Sequence, residues 1–142
     1  MTETPNLINF KEITIGYSKK FTVKINAKML DDFATLSGDY NPLHMDSEYA
    51  KKTQFKKQVC HGMLLTSFFS RLIGMYIPGK NALYFSQTIN FRSPCFVDDI
   101  VTVIGEVTEK RETTKIITIK TEIYNQNDDC LINGIGKVIV RN

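Results

Sequence analysis

Up to residue 77 the apolar positions recur mainly at helical spacing, and beyond it that period gives way to alternation. The first elements lie before residue 40. Residues 21–25 alternate Phe21, Val23 and Ile25 with Thr22 and Lys24, the pattern of a half-buried strand, and an irregular strand over 10–15 is expected ahead of it. Asn26 is placed as an N-cap, Ala27, Leu30, Phe33, Ala34 and Ser37 share one face of the helix that follows, and Gly38 suits the left-handed residue that ends it. Pro42 fixes its own φ and pushes Asn41 out of the helical region, so a rigid, non-helical turn is expected between Asp39 and His44. A short polar surface helix, capped by Asp46 or Ser47, is expected over 46–52.

Residues 61–77 are apolar nearly all round, which predicts a buried helix. It is too short for a good membrane span, carries Arg71 in its middle, and is stopped by Pro78-Gly79. Four strand-like runs follow, over 82–92, 100–109, 114–124 and 130–140, separated by the turns Ser93-Pro94, Asp98-Asp99, Arg111-Glu112 and 125–129. Strands joined by short turns pair antiparallel, and a helix this apolar must be covered by them, which predicts an α+β fold. One curved sheet leaves such a helix partly bare, so a second copy of the chain is expected to cover the rest.

Length changes this picture only by bounding it: 142 residues make a single domain, 1–142, able to bury roughly two-thirds of its unfolded surface without staples. Composition excludes more. With 42% apolar and 23% charged residues the chain is an ordinary globular protein, neither disordered nor membrane-embedded. The net charge of +3 comes from scattered lysines such as Lys19-Lys20, Lys51-Lys52 and Lys56-Lys57, with no basic block to bind nucleic acid. Those lysines read as a solvated face, the rival being local attraction for the phosphates of a small anion. Cys60, Cys95 and Cys130 are odd in number and widely spaced, which suits buried free thiols rather than a disulfide framework or a metal site. The first ten residues lack a secretory signal pattern, so a cytoplasmic home is expected.

Chemistry concentrates in one place. Asp39 and His44 stand five residues apart in Ser37-Gly38-Asp39-Tyr40-Asn41-Pro42-Leu43-His44, where a carboxylate and an imidazole can share and activate a water. Asn41 reads as turn support through side-chain to backbone bonds. His61, the second of the two histidines, suits capping or packing of the 61–77 helix better than acid–base work. Gln87, among Leu83, Phe85, Ile89 and Phe91 on one strand face, reads as a buried amide, and Ser67 and Ser70 are polar exceptions on the helix, Ser70 being a candidate for a pocket wall.

The stretch Phe33-Ala34-Thr35-Leu36-Ser37-Gly38-Asp39-Tyr40-Asn41-Pro42-Leu43-His44-Met45-Asp46 resembles the signature of the MaoC-like hydratases, as do Val59-Cys60-His61-Gly62-Met63-Leu64-Leu65, Pro78-Gly79-Lys80 and Phe91-Arg92-Ser93-Pro94-Cys95-Phe96-Val97-Asp98-Asp99 in the same order. Within that family the chain is most similar to the short (R)-specific enoyl-CoA hydratases. The resemblance implies a hot-dog fold, an antiparallel sheet wrapped round a long central helix, assembled as a homodimer. It implies reversible syn addition of water to a trans-2-enoyl-CoA, giving an (R)-3-hydroxyacyl-CoA with no cofactor and no metal. By the same resemblance Asp39 and His44 are the catalytic pair, and the Gly62 amide is the thioester-binding donor.

Physics agrees with that placement of Gly62, because amides at a helix start are unpaired, the dipole is positive there, and no side chain blocks an incoming oxygen. One such donor is worth about 3 kcal/mol in the transition state. Asp39 is expected to be the base and His44 to orient the water or share its proton, and the sequence leaves open which of them protonates C2. Three alternatives accompany this reading. A dehydratase acting on carrier-protein-bound chains would use the same two residues. An acyl-CoA thioesterase would need an acid on or near the central helix, and residues 62–77 contain no Asp or Glu. A non-enzymatic acyl-CoA-binding dimer would be expected to have lost Asp39 or His44.

Overall fold

The computed structural model describes residues 3–141. One antiparallel sheet holds β1 (Ser18–Lys24), β2 (Ala82–Gln87), β3 (Asn90–Phe91), β4 (Ile100–Arg111), β5 (Ile116–Tyr124) and β6 (Cys130–Val140). Its order is β1-β4-β5-β6-β2, with β3 also on β6. β4 and β5 form by alternation: Val101, Val103, Gly105 and Val107 of β4 and Ile117, Ile119, Thr121 and Ile123 of β5 are buried, while the residues alternating with them face away. Against this face lies α4 (Gly62–Arg71), prolonged by a π-helical turn, Leu72–Tyr76. Leu64, Leu65, Phe69, Leu72 and Ile73 join the strand residues in one core. Gly105 lets the helix approach, since a Cβ there would stand 2.7 Å from Leu72 Cδ2.

α1 (Ala27–Ser37) begins and ends as its sequence predicts. Asn26 Oδ1 accepts from the Met29 amide at 2.9 Å, and Gly38, at φ 80°, donates to the Ala34 carbonyl at 2.8 Å. α3 (Ser47–Lys51) is capped by the Asp46 side chain, which accepts from Glu48 and Tyr49.

Four expectations need correction. No strand forms at 10–15: Phe10–Glu12 is a 3-10 turn in which the Glu12 carboxylate accepts from the Asn9 amide, and Lys110 Nζ donates to the Phe10 and Ile13 carbonyls, so local side-chain bonds replace a ladder. The turn after Asp39 is not wholly non-helical, because Pro42 starts the one-turn helix α2 (Pro42–Met45) at a position where its missing N–H costs nothing. The single strand expected over 82–92 is two, parted at Thr88 and Ile89. The Thr88 carbonyl rides over Gly134, where a Cβ would lie 1.8 Å away. The apolar set chosen for burial on that segment is also not core: Leu83 and Phe85 are each 50% exposed and Phe91 is 59% exposed. Gln87 is half-buried, donating to Thr121 Oγ1 at 2.9 Å and accepting from the Tyr84 hydroxyl, whose pKa burial pushes up to about 12.

The central helix is likewise covered on one side only, with Met63, Ser70 and Gly74 exposed. Arg71 stands over the Phe21 ring, its Cζ 4.2 Å from the centroid, which accommodates its charge at the edge of the core. Among the described residues no helix is long and apolar enough to cross a membrane.

Candidate active site

Asp39 and His44 are positioned by a short chain of side-chain to backbone bonds. Ser37 Oγ donates to the Phe33 carbonyl at 2.7 Å and accepts from the Asp39 amide at 3.1 Å. Asp39 Oδ1 then accepts from the Asn41 amide at 3.1 Å, and Asn41 Oδ1 from the Leu43 amide at 3.0 Å, so one short turn hands directly to the next. Asn41 is thus the N-cap of α2, as its expected supporting role requires. Only Oδ1 of Asp39 is used in the turn. The carboxylate is solvent-exposed, and Oδ2 remains able to accept from a water.

His44 sits on α2 and is anchored to the segment before α4. Its Nδ1 lies 2.6 Å from the Val59 carbonyl, an acceptor only, so Nδ1 carries the hydrogen and Nε2 is left to exchange protons. The Val59 amide donates to the Leu43 carbonyl at 3.2 Å, and Gln58 Nε2 to the His44 carbonyl at 2.5 Å, closing the anchor from both sides.

His61 packs rather than caps. It precedes α4 with only its carbonyl bonded to the helix, accepting from the Leu64 and Leu65 amides, and its side chain makes no cap bond. The residue is 2% exposed, and its ring stacks on His44 with centroids 4.3 Å apart and meets the Phe33 ring at 4.8 Å. Its Nε2 donates to the Asp39 carbonyl at 3.1 Å, which leaves a buried Nδ1 with no partner among the described residues. Sequence reasoning gave His61 a packing role and missed that this ring bridges the two candidate residues, bonding one and stacking on the other. Its adjacency to Gly62 was the only signal.

Gly62 opens α4, where its amide has no carbonyl four residues back. A cavity of about 190 Å³ is lined by Asp39, His44, His61, Gly62, Met63 and Phe91. A second, of about 320 Å³, shares His44, Gly62 and Phe91 and adds apolar walls from Phe55, Val59, Leu65 and Ile132. Asp39, His44 and Gly62 therefore meet at one place. Ser70 does not join them: it lines a separate groove of about 320 Å³ with Thr66, Phe69, Tyr84, Phe85 and Gln87.

Cys60 and Cys95 also border the larger cavity. Both are buried and free, and the Cys60 amide donates to the Cys95 carbonyl at 2.8 Å. A side-chain hydrogen bond with the Cys60 thiol, followed by burial, holds the Cys95 thiol far above its ordinary pKa, so it is an inert wall rather than a nucleophile.

A helix wrapped by one antiparallel sheet is the hot-dog architecture, and at the start of this helix an acid, an imidazole and a helix-start amide surround one cavity. Residues 10–127 match the MaoC like domain, and the chain belongs to that family. It is 39% identical over 124 residues to the (R)-specific enoyl-CoA hydratase of Aeromonas caviae, covering 87% of this chain and 92% of that protein. It is 33% identical to the mitochondrial 3-hydroxyacyl-[acyl-carrier-protein] dehydratase of Arabidopsis thaliana, over 92% of this chain and 79% of that one. In three dimensions it is similar to the unliganded R-hydratase PhaJ1 from Pseudomonas aeruginosa, with a TM-score of 0.93, 32% identity, and coverage of 97% and 88%.

Proposed function

We propose that the chain is an (R)-specific enoyl-CoA hydratase, adding water reversibly and syn across the double bond of a trans-2-enoyl-CoA to give an (R)-3-hydroxyacyl-CoA. The observation that carries this is the convergence of Asp39, His44 and the first residue of α4 on one cavity. As the water oxygen attacks C3, Asp39 takes one of its protons, and the Nε2 of His44, held by the bond from Nδ1 to Val59, orients that water. Negative charge gathers on the thioester oxygen, where the Gly62 N–H and the positive end of α4 receive it. A proton returns to C2 from the Asp39–His44 pair on the same face, so the elements of water are added whole.

The similarity to a hydratase named for CoA substrates supports the carrier, and the Arabidopsis relative, named for acyl-carrier-protein substrates, favours as second reading the reverse dehydration of carrier-bound chains. A thioesterase is disfavoured by the lack of any Asp or Glu from Gly62 to Tyr76. We also infer a cytoplasmic homodimer. The groove between β2 and the open side of α4, lined by the exposed Phe85, is the face a second copy covers, and Ser70 lies within it as the candidate wall of an acyl chain.

Purified protein given crotonyl-CoA is expected to remove the absorbance of the conjugated thioester without releasing free thiol. Loss of enoyl-CoA matched by release of an equal amount of CoA thiol, with no 3-hydroxyacyl-CoA formed across chain lengths from short to medium, overturns the hydratase in favour of a thioesterase.

A further inference from the structure

Phe91 stands where the proposed reaction needs open space. It forms part of the wall of both cavities at the site, and its ring lies so near Gly62 that a Cβ there would be 2.4 Å from Cε1 and 2.7 Å from Cδ1. The ring therefore covers the opening residue of α4 and divides the cavity that holds Asp39 from the apolar cavity beside it. A thioester whose oxygen is to reach the Gly62 amide, with C3 at Asp39 and one arm in the apolar cavity, has to cross this partition.

The backbone beneath the ring is fixed while the ring itself is not. Phe91 pairs with Ile132 of β6, the preceding Asn90 donates from its side chain to Asn133 Oδ1 at 3.1 Å, and the Arg92 amide donates to the Leu131 carbonyl at 2.8 Å. Yet 59% of Phe91 is exposed, so χ rotation needs no movement of the strand and runs on the picosecond to nanosecond scale of exposed side chains. Resting on the hydratase reading above, we propose that Phe91 is a gate and specificity-determining residue: its ring swings off Gly62 to admit the thioester, and its bulk sets which acyl thioesters pass.

The experiment uses the absence of tryptophan from the chain. Phe91→Trp makes the gate the sole indole, and its emission is followed while butyryl-CoA, a saturated thioester that cannot be hydrated, is added to the folded protein. A saturable shift in emission maximum or intensity is expected. In parallel, kcat/KM is measured for enoyl-CoA substrates of four to twelve carbons with wild type, Phe91→Ala and Phe91→Leu. Removing the ring is expected to change the ratio between longest and shortest substrates by roughly tenfold, the scale of a few methylenes in an apolar pocket, mainly through KM and with the pH profile unmoved. Phe91→Leu should show a smaller change and serves if Phe91→Ala fails to fold. An indole blind to saturating butyryl-CoA, or a chain-length profile the same in all three proteins, overturns the gate. A wild type that hydrates no enoyl-CoA overturns the function reading instead, and the fluorescence titration still reports on the gate.

Discussion

Asp39 and Gly62 border one cavity, yet they are put there by different means. Asp39 is exposed and its side chain is set by bonds within its own neighbourhood, from Ser37 to itself, then to Asn41 and on to Leu43, while only its carbonyl reaches further, to His61. Gly62 is set by a helix whose Leu64, Leu65, Phe69 and Leu72 are buried against strands that come much later in the chain. The first region carries the proposed chemistry at small cost to stability, because net hydrogen-bond contributions are only about 1 kcal/mol each. The second contributes most of the stability and the amide proposed to receive the thioester oxygen. Mutations should therefore separate the two, with activity failing in one region and folding in the other.

The largest effect expected is from Asp39→Asn, which keeps the shape of the turn and an oxygen for the Asn41 amide but removes the base. We expect kcat to fall about 10³-fold, within the range of general-base catalysis, with the melting temperature within about 2 °C of wild type. His44→Ala should lose a comparable factor. If Asp39→Asn instead retains most of its rate, the base lies elsewhere and the turn is only scaffolding.

Leu72→Ala probes the opposite region. Leu72 is fully buried and packs on Gly105, so its truncation leaves a cavity costing about 3 kcal/mol and lowers the melting temperature by roughly 10 °C. Below that lower transition the folded fraction should retain near wild-type kcat. Thermal melts read alongside initial rates decide the matter, and a proportionate loss of kcat at full folding would mean that the core also tunes the site.

This division explains what the sequence could disclose. Elements fixed by local bonds were legible residue by residue: the Asn26 cap, the Gly38 stop, the Asp46 cap of α3 and the support from Asn41 all follow from side chains reaching a few positions along the chain. The long strands were legible because their alternation is a local pattern too. Most of what failed depended on distant partners, the exception being α2, whose start at Pro42 is itself local. Lys110 reaching the Phe10 and Ile13 carbonyls, or Gly134 admitting the Thr88 carbonyl, leaves no mark on the pattern of either segment. The exposure of Leu83 and Phe85 is of the same kind, since an apolar alternation says that a face is covered and not by which molecule. His61 was read as a capping or packing residue, of which its side chain does only the second, while its bond to the Asp39 carbonyl and its stack on His44 needed the fold to bring 39, 44 and 61 together.

Gly62→Ala sharpens the comparison because it alters the buried region's one functional group without deleting the amide. The added methyl meets the Phe91 ring, an exposed side chain that can move aside, so the fold should survive. Crowding the path of the thioester oxygen is expected to lower kcat/KM by roughly 30-fold, less than removing an oxyanion donor outright. Adding Phe91→Ala relieves the clash with the ring but not the crowding of the oxygen, so the double variant should recover part of the loss. Full recovery would show that the methyl acts through Phe91 alone and that the oxygen does not approach this amide.

The smallest effect is expected where the two regions touch. Asn41→Ala removes the acceptor for the Leu43 amide, the cap of α2, and by the usual worth of a cap should cost about 1 kcal/mol and a few degrees of melting temperature. His44 rides on α2, but its ring is also held by the Val59 carbonyl at 2.6 Å and by stacking on the buried His61, so the α4 side keeps it in place when the local cap is lost. We therefore expect kcat to fall no more than about fivefold, with the pH profile unchanged. Should kcat fall as far as in His44→Ala while the melting temperature hardly moves, local bonding alone positions the imidazole, and the Val59 and His61 contacts are incidental to its placement.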